Sequence, residues 1–222
     1  MDLTTRVNLV KNHSKNKECN LTVSVVAKLA GINRTSIYYK GTPVSDEELE
    51  CKRSIDRPNQ AWSIDITYIP MKHGFLYLTA IIDWHSRCIV GWELDDTLDT
   101  RACIEACEKA FKVAKPEILN SDQGCQFTSQ KYKDFLKANK IKQSIDGKSR
   151  WADNIMIERW FRTFKYEEAY LTEWKNIKEA RQAIAAYIHK YNFERCHSAI
   201  GNVPPASVYY PAMLYEAAKE AA

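Results

Sequence analysis

Between Ala61 and Leu94, AWSIDITYI alternates apolar and polar positions, and two further strand-like stretches, FLYLTAIID and RCIVGWEL, follow it. A period of two is the repeat of a strand with one buried face. His73-Gly74 and Trp84-His85-Ser86 separate the stretches, and such short connections predict an antiparallel meander. From Thr100 the period lengthens. Ala102, Ile104, Ala106, Ala110 and Phe111 predict a helix over 100–113. EILNSD predicts a short strand ending at Asp122, followed by a helix around Ser129–Asn139 and a strand, IKQSI, at 141–145. Long helical patterns then occupy about 152–170 and 174–192. The order βββ-α-β-α-β-α predicts an α/β fold, a mixed β-sheet flanked by helices.

Upstream, LTVSVVAKLAGINRTSIYYK (21–40) has the outline of two short helices around a tight turn. Val25, Val26 and Leu29 have helical spacing, Ala30-Gly31 breaks it, and Asn33 is placed to cap a second helix from Arg34. That outline is a small helix-turn-helix, whose second helix offers Arg34, Thr35, Ser36 and Tyr38 to DNA. Residues 41–57 form a linker, opened by Gly41-Thr42-Pro43 and made acidic by Asp46, Glu47, Glu48 and Glu50. The chain is thus expected to divide into a helical segment (1–40), a linker (41–57), a main domain (58–210) and a tail (211–222).

Composition narrows the class. The 222 residues are 45% hydrophobic and 27% charged, which suits a folded chain and excludes disordered or fibrous classes. No apolar run suggests a membrane span, and the N-terminus lacks the apolar stretch of a signal peptide. A cytoplasmic location is expected. Seven cysteines without a C-x-x-C pair argue against a disulfide framework or zinc ribbon. Cys103 and Cys107 are expected to be buried free thiols. The net charge of +4 is unevenly distributed: residues 131–165 carry ten Lys/Arg against four Asp/Glu. A concentrated basic segment suits a phosphate-facing surface.

Three acids carry the candidate chemistry. Asp65 sits inside the first strand between Ile64 and Ile66, where a carboxylate is normally disfavoured. Asp122 lies where a short strand runs out into a loop, the usual place for ligands in α/β sheets. Glu158 lies on a helix expected to start at Asp153 or Asn154, beside an apolar stripe of Ile157, Trp160, Phe161 and Phe164. Asn154, Glu158, Arg162 and Lys165 share an adjoining face. Taken singly, a polar strand face, a turn aspartate and a surface Glu–Arg pair explain these residues equally well.

Together, WSIDITYI, LNSDQGCQFTS and DNIMIERWFRTFKYE resemble the three catalytic blocks of insertion-sequence transposases in the retroviral-integrase superfamily. Thirty-five residues lie between Asp122 and Glu158, the spacing behind that group's D,D(35)E label. YNFERCHSAIGNVPPASVYY resembles its closing motif, so the resemblance covers roughly residues 58–210. It implies an RNase H-like catalytic core with Asp65, Asp122 and Glu158 as catalytic and metal-binding residues. It also implies two Mg²⁺ ions, with Mn²⁺ as substitute, and metal-dependent cleavage and strand transfer of double-stranded DNA. The implied partners are transposon ends and target DNA, bound by a homo-oligomer associated with the nucleoid. Hard carboxylate oxygens suit Mg²⁺, and paired ions suit in-line displacement at phosphorus.

Lys148, Arg150, Arg159, Arg162 and Lys165 are further candidates for DNA contact, as are Arg34, Arg195 and His197. Trp151 or Trp160 could stack on a splayed base, with core packing the expected role for Trp160. The sequence departs from the family pattern at Cys196, where a proline usually separates Arg from His. Asn120 and Gln123 replace a common histidine and arginine beside Asp122. Asp65 follows Lys40 within 25 residues, too short a span for the second helical DNA-binding segment of full-length relatives, so internal shortening is expected. Two rivals follow: a non-catalytic DNA-binding inhibitor of transposition, and a general RNase H-like nuclease.

Overall fold

The computed structural model describes Thr5, Val10 and residues 22–31, 55–72, 74–145 and 154–210. The chain divides into two compact units, Met1–Arg53 and Ser54–Ala222. In the first, helix α1 (Val23–Leu29) follows Thr22 and stops at Ala30, ahead of Gly31 at φ 65°. Val10 and Ala27 are buried together, with Val26 and Ala30 against them, whereas Val25 and Leu29 are exposed. The helix expected from Arg34 lies outside the described residues.

The second unit is built on five strands: β1 (Ala61–Pro70), β2 (Phe75–Asp83), β3 (Ile89–Asp95), β4 (Ile118–Ser121) and β5 (Lys142–Ile145). Their order is β3-β2-β1-β4-β5. β1, β2 and β3 form the expected antiparallel meander, and β4 and β5 add in parallel. Parallel neighbours need crossover connections. These are α2 (Thr100–Phe111) before β4, then α3 (Cys125–Thr128) and α4 (Gln130–Ala138) before β5. Asp99 and Ser129 cap α2 and α4 by accepting from the backbone N–H groups of Arg101 and Tyr132.

Two cores lie on opposite sides of the sheet. Trp62, Ile64 and Ile81 join Cys103, Ala106, Cys107 and Ala110 of α2 and Tyr132 and Leu136 of α4. Burial pushes the Cys103 thiol up to about 12, so it stays protonated, as an inert core thiol should. Gly91 brings β3 against α2. A Cβ there would stand 2.6 Å from the Ala106 carbonyl oxygen. On the other side Ile69, Leu78, Ala80 and Ile82 pack with α5 (Ile155–Phe164) and α6 (Ile177–Phe193). Trp160 is buried there, stacked on Phe164 at 5.7 Å, and so takes the core-packing role.

The helix expected over 152–170 is divided. α5 ends at Phe164 and continues as a π-turn, Lys165–Ala169, closed by the Tyr170 N–H donating to the Lys165 carbonyl at 2.9 Å. The chain ends its described part with a short 3₁₀ turn (Ser198–Ile200) and helix α7 (Pro205–Tyr209).

The edge strand β3 is covered rather than left open for pairing. Asn192 of α6 brackets Ile89, accepting from its N–H and donating to its C=O, both at 2.9 Å. Arg181 donates to the Leu94 carbonyl at 2.6 Å and pairs with buried Glu93, which Lys109 also reaches. Burial alone would raise the Glu93 carboxyl, but its two cations outweigh that and hold it below the ordinary value.

Candidate active site

Three elements present the three acids. Asp65 lies in the middle of β1, opposite Ala80 of β2. Period two puts Ser63, Asp65, Thr67 and Ile69 on one side of β1, the side where Ile69 and Ala80 pack with α5 and α6. Asp65 is half-buried, and its Oδ1 accepts from the Ile66 N–H at 2.7 Å.

The parallel pairing of β1 with β4 locates the second acid. Ala61, Trp62 and Ser63 pair with Ile118, Leu119 and Asn120. Asp65 and Asp122 each lie two residues beyond Ser63–Asn120, the last of these pairs. Asp122 is exposed at the strand exit, and its Oδ1 accepts from the Gly124 N–H at 2.9 Å. This is an Asx-type turn. A Cβ on Gly124 would stand 2.9 Å from that same oxygen, so glycine leaves the carboxylate its place.

Glu158 is exposed in the first turn of α5. It shares a cleft of about 410 Å³ with Asp65, Thr67, Arg162 and Lys165; Asp122 stands outside that lining. Among the described residues, no three His, Cys, Asp or Glu side chains are grouped closely enough to hold a metal ion. Asp65 and Glu158 thus share one cleft, and Asp122 follows the end of β4, the parallel neighbour of β1. Partial burial lowers the Lys165 pKa, and the Asp65 carboxylate partly restores it.

Another acid of the sheet shows what a structural carboxylate looks like. Asp83 is fully buried. Its two oxygens accept from the N–H groups of Asn59 and Ser86, the Ser86 hydroxyl and the Trp62 indole, at 2.6–3.1 Å. Its acceptor capacity is spent on the fold. Asp65 and Glu158, by contrast, face a cleft.

Of the residues expected to meet DNA, Arg162 and Lys165 line this cleft. Arg159 is exposed on α5 and lies near Arg87, whose pKa falls through burial and, to a smaller degree, through this like charge. Arg195 pairs with Glu167, which also accepts from the Tyr187 hydroxyl at 2.9 Å. His197 pairs through its backbone with Val203, and its ring meets Tyr191 edge-on at 4.7 Å. Burial lowers its pKa, and Arg195 and Arg87 lower it further. Arg34, Lys148, Arg150 and Trp151 lie outside the described residues. Thr67, Tyr166 and Tyr170 also line the cleft and were not among the sequence candidates. For the tyrosines a signal exists, since residues 158, 162, 166 and 170 are spaced by four.

Two family models described as integrase core domain match residues 55–150 and 139–205, together more than half of the chain. The chain belongs to the integrase core family. It is 35% identical over 152 residues to the transposase for insertion sequence element IS904 of Lactococcus lactis. It is 31% identical over 169 residues to transposase InsF for insertion sequence IS3A of Escherichia coli. The two alignments cover 67% and 74% of this chain. The chain spans 60% and 59% of those transposases' own lengths. Its fold is similar to that of the integrase catalytic core domain of HTLV-2, solved in complex with magnesium. That match has a TM-score of 0.59 at 21% identity and covers 71% of this chain and 100% of that one. The RNase H-like architecture expected from the sequence is therefore present.

Proposed function

We propose that this chain is a DNA transposase that performs metal-dependent cleavage and strand transfer through Asp65, Asp122 and Glu158. The single observation that supports this reading is that Asp65 and Glu158 line one cleft, while Asp65 and Asp122 each follow the last β1–β4 pair, Ser63–Asn120, by two residues. The two similar transposases and the magnesium-bound integrase core support the same reading. The donor set fits a hard divalent cation. It offers only carboxylate oxygens, half-buried or exposed, which leaves coordination positions for water and phosphate. Two Mg²⁺ or Mn²⁺ ions held by these carboxylates would supply charge stabilisation at phosphorus and lower the pKa of an attacking water or 3′-hydroxyl.

The chain's own residues do the rest. Asp65 and Asp122 are borne on strand and strand exit, so the sheet limits their relative movement. Glu158 rides on α5, which is anchored by buried Ile157, Trp160, Phe161 and Phe164. Arg162 and Lys165 bring positive charge to the same cleft and attract the phosphate backbone in a sequence-independent, salt-sensitive way. Double-stranded DNA, as element ends and target, is the proposed substrate. A homo-oligomer pairing two ends is the proposed working assembly. Among the described residues no helix is long and apolar enough to cross a membrane, and the proposed place of action is the nucleoid.

The test is a Mg²⁺-dependent nicking and strand-transfer assay on DNA bearing candidate ends. Asp65→Asn, Asp122→Asn and Glu158→Gln should each lower both steps by about a thousandfold or more, in keeping with the scale on which electrostatic catalysis operates, and should leave DNA binding in place. Activity that survives all three substitutions would overturn the reading. A second reading is a non-catalytic DNA-binding inhibitor of transposition. One observation favours it: Asp65 follows Lys40 within 25 residues, so the region ahead of the core is short. DNA binding without any metal-dependent cleavage by the unsubstituted chain would establish that alternative.

A further inference from the structure

Beyond Glu158, the outer face of α5 and the π-turn carries Arg162, Tyr166 and Tyr170, all lining the cleft that Asp65 enters. Tyr166 is 64% exposed and Tyr170 54%. A single exposed tyrosine needs no explanation. These two are paired, edge to face, with ring centres 5.6 Å apart and planes at 86°. The Arg162 guanidinium lies 5.9 Å from the Tyr166 ring centre, within cation–π range. The core does not require either ring, because Trp160, Phe161 and Phe164 already fill the inward face of the same segment. The π-turn matters here. Its wider winding keeps Tyr170 bordering the cleft with Glu158, three turns on.

Two cations and two braced aromatic rings beside paired carboxylates suit a particular nucleic-acid feature. Bases stacked within a duplex present no free face to a side chain. A base that has left the stack does, and aromatic rings with flanking positive charge are the usual receptor for it. We propose that Tyr166 and Tyr170 form a stacking platform for an unpaired base at a DNA end, with Arg162 and Lys165 holding the adjoining phosphates. This rests on the reading of the cleft as a DNA-processing centre. It adds that the end is frayed when it is engaged.

The experiment uses the full chain with EDTA present, so that no strand is cut. One DNA has a few unpaired terminal nucleotides with 2-aminopurine among them; its control is the same sequence fully paired. The unsubstituted protein should bind the frayed DNA more tightly and quench the probe. Tyr166→Ala and Tyr170→Ala should each abolish most of the quenching and weaken frayed-end binding about tenfold, the scale of one lost base–aromatic stack. Binding of the paired control should change less than twofold. Tyr166→Phe and Tyr170→Phe should behave as the unsubstituted chain. Equal losses on both DNAs, or unchanged frayed-end binding in the alanine variants, would overturn the platform alone. Failure of the unsubstituted chain to bind either DNA would overturn the platform and the reading beneath it.

Discussion

The two sides of β1 differ in what their alternation means. Trp62 and Ile64 enter a core shared with α2 and α4, lined by alanines and protonated thiols. Ser63, Asp65 and Thr67 lie on the other side, with Ile69 in the core under α5 and α6. An apolar–polar strand is ordinarily read as inside against solvent. Here both sides are covered by helices, and the polar side is where a cleft opens between sheet and helix. Ser63 is itself fully buried and accepts from the Trp84 indole at 2.6 Å. The polar positions therefore divide into Ser63, which is held within the fold, and Asp65 and Thr67, which line the cleft.

That contrast predicts which substitutions hurt the fold and which hurt only the chemistry. The largest stability effect belongs to Trp160→Ala on the cleft side. Loss of its stack with Phe164 and its edge contact with Tyr191 should cost about 3–5 kcal/mol in denaturant unfolding. Activity should fall as well, since α5 carries Glu158. Gly91→Ala on the other side should cost about 1–3 kcal/mol by forcing β3 from α2. Activity per folded molecule should be unchanged, and a fall at constant folded fraction would blur the distinction between the sides.

A third prediction concerns the sheet edge and pH. Burial would raise the Asp95 carboxyl, but hydrogen bonds from the Thr97 backbone and hydroxyl and from Arg101 outweigh it and hold it at about 2. A depressed folded pKa adds stability that is fully present above the ordinary carboxylate value of 3.8 and is lost as pH falls toward 2. Asp95→Asn should remove that acid-side dependence, on the order of 1–2 kcal/mol, as read from chemical denaturation between pH 5 and 2. The smallest stability effect is expected for Gly124→Ala. Its backbone, φ −55° and ψ 145°, suits alanine, so unfolding should change by under about 1 kcal/mol. Its Cβ would nevertheless crowd Asp122, and nicking should drop about tenfold or more, the cost of a small misplacement of a reacting group.

The first strand is legible through its period of two, and the strands that follow through short apolar runs bounded by turns or helical patterns. The acids were legible as types in order. Which side of β1 faces the cleft was not, because that depends on where α5 packs. Nor was the end of α5. Local spacing continues through Lys165, and only the hydrogen bond from Tyr170 to Lys165 reveals the π-turn. Arg195 is a DNA-contact candidate in sequence, and in the structure it pairs with Glu167, 28 residues away. Such pairings depend on tertiary contact and leave no periodic trace. Val25 and Leu29 set the helical spacing of α1, but Ala27 is the residue it buries.

The most direct measurement is anomalous diffraction from crystals of the full chain soaked in Mn²⁺. The predicted result is a Mn²⁺ peak at the carboxylates of Asp65, Asp122 and Glu158. Mn²⁺ bound elsewhere, or the absence of a peak at these carboxylates while the crystal stays ordered, would contradict the assignment.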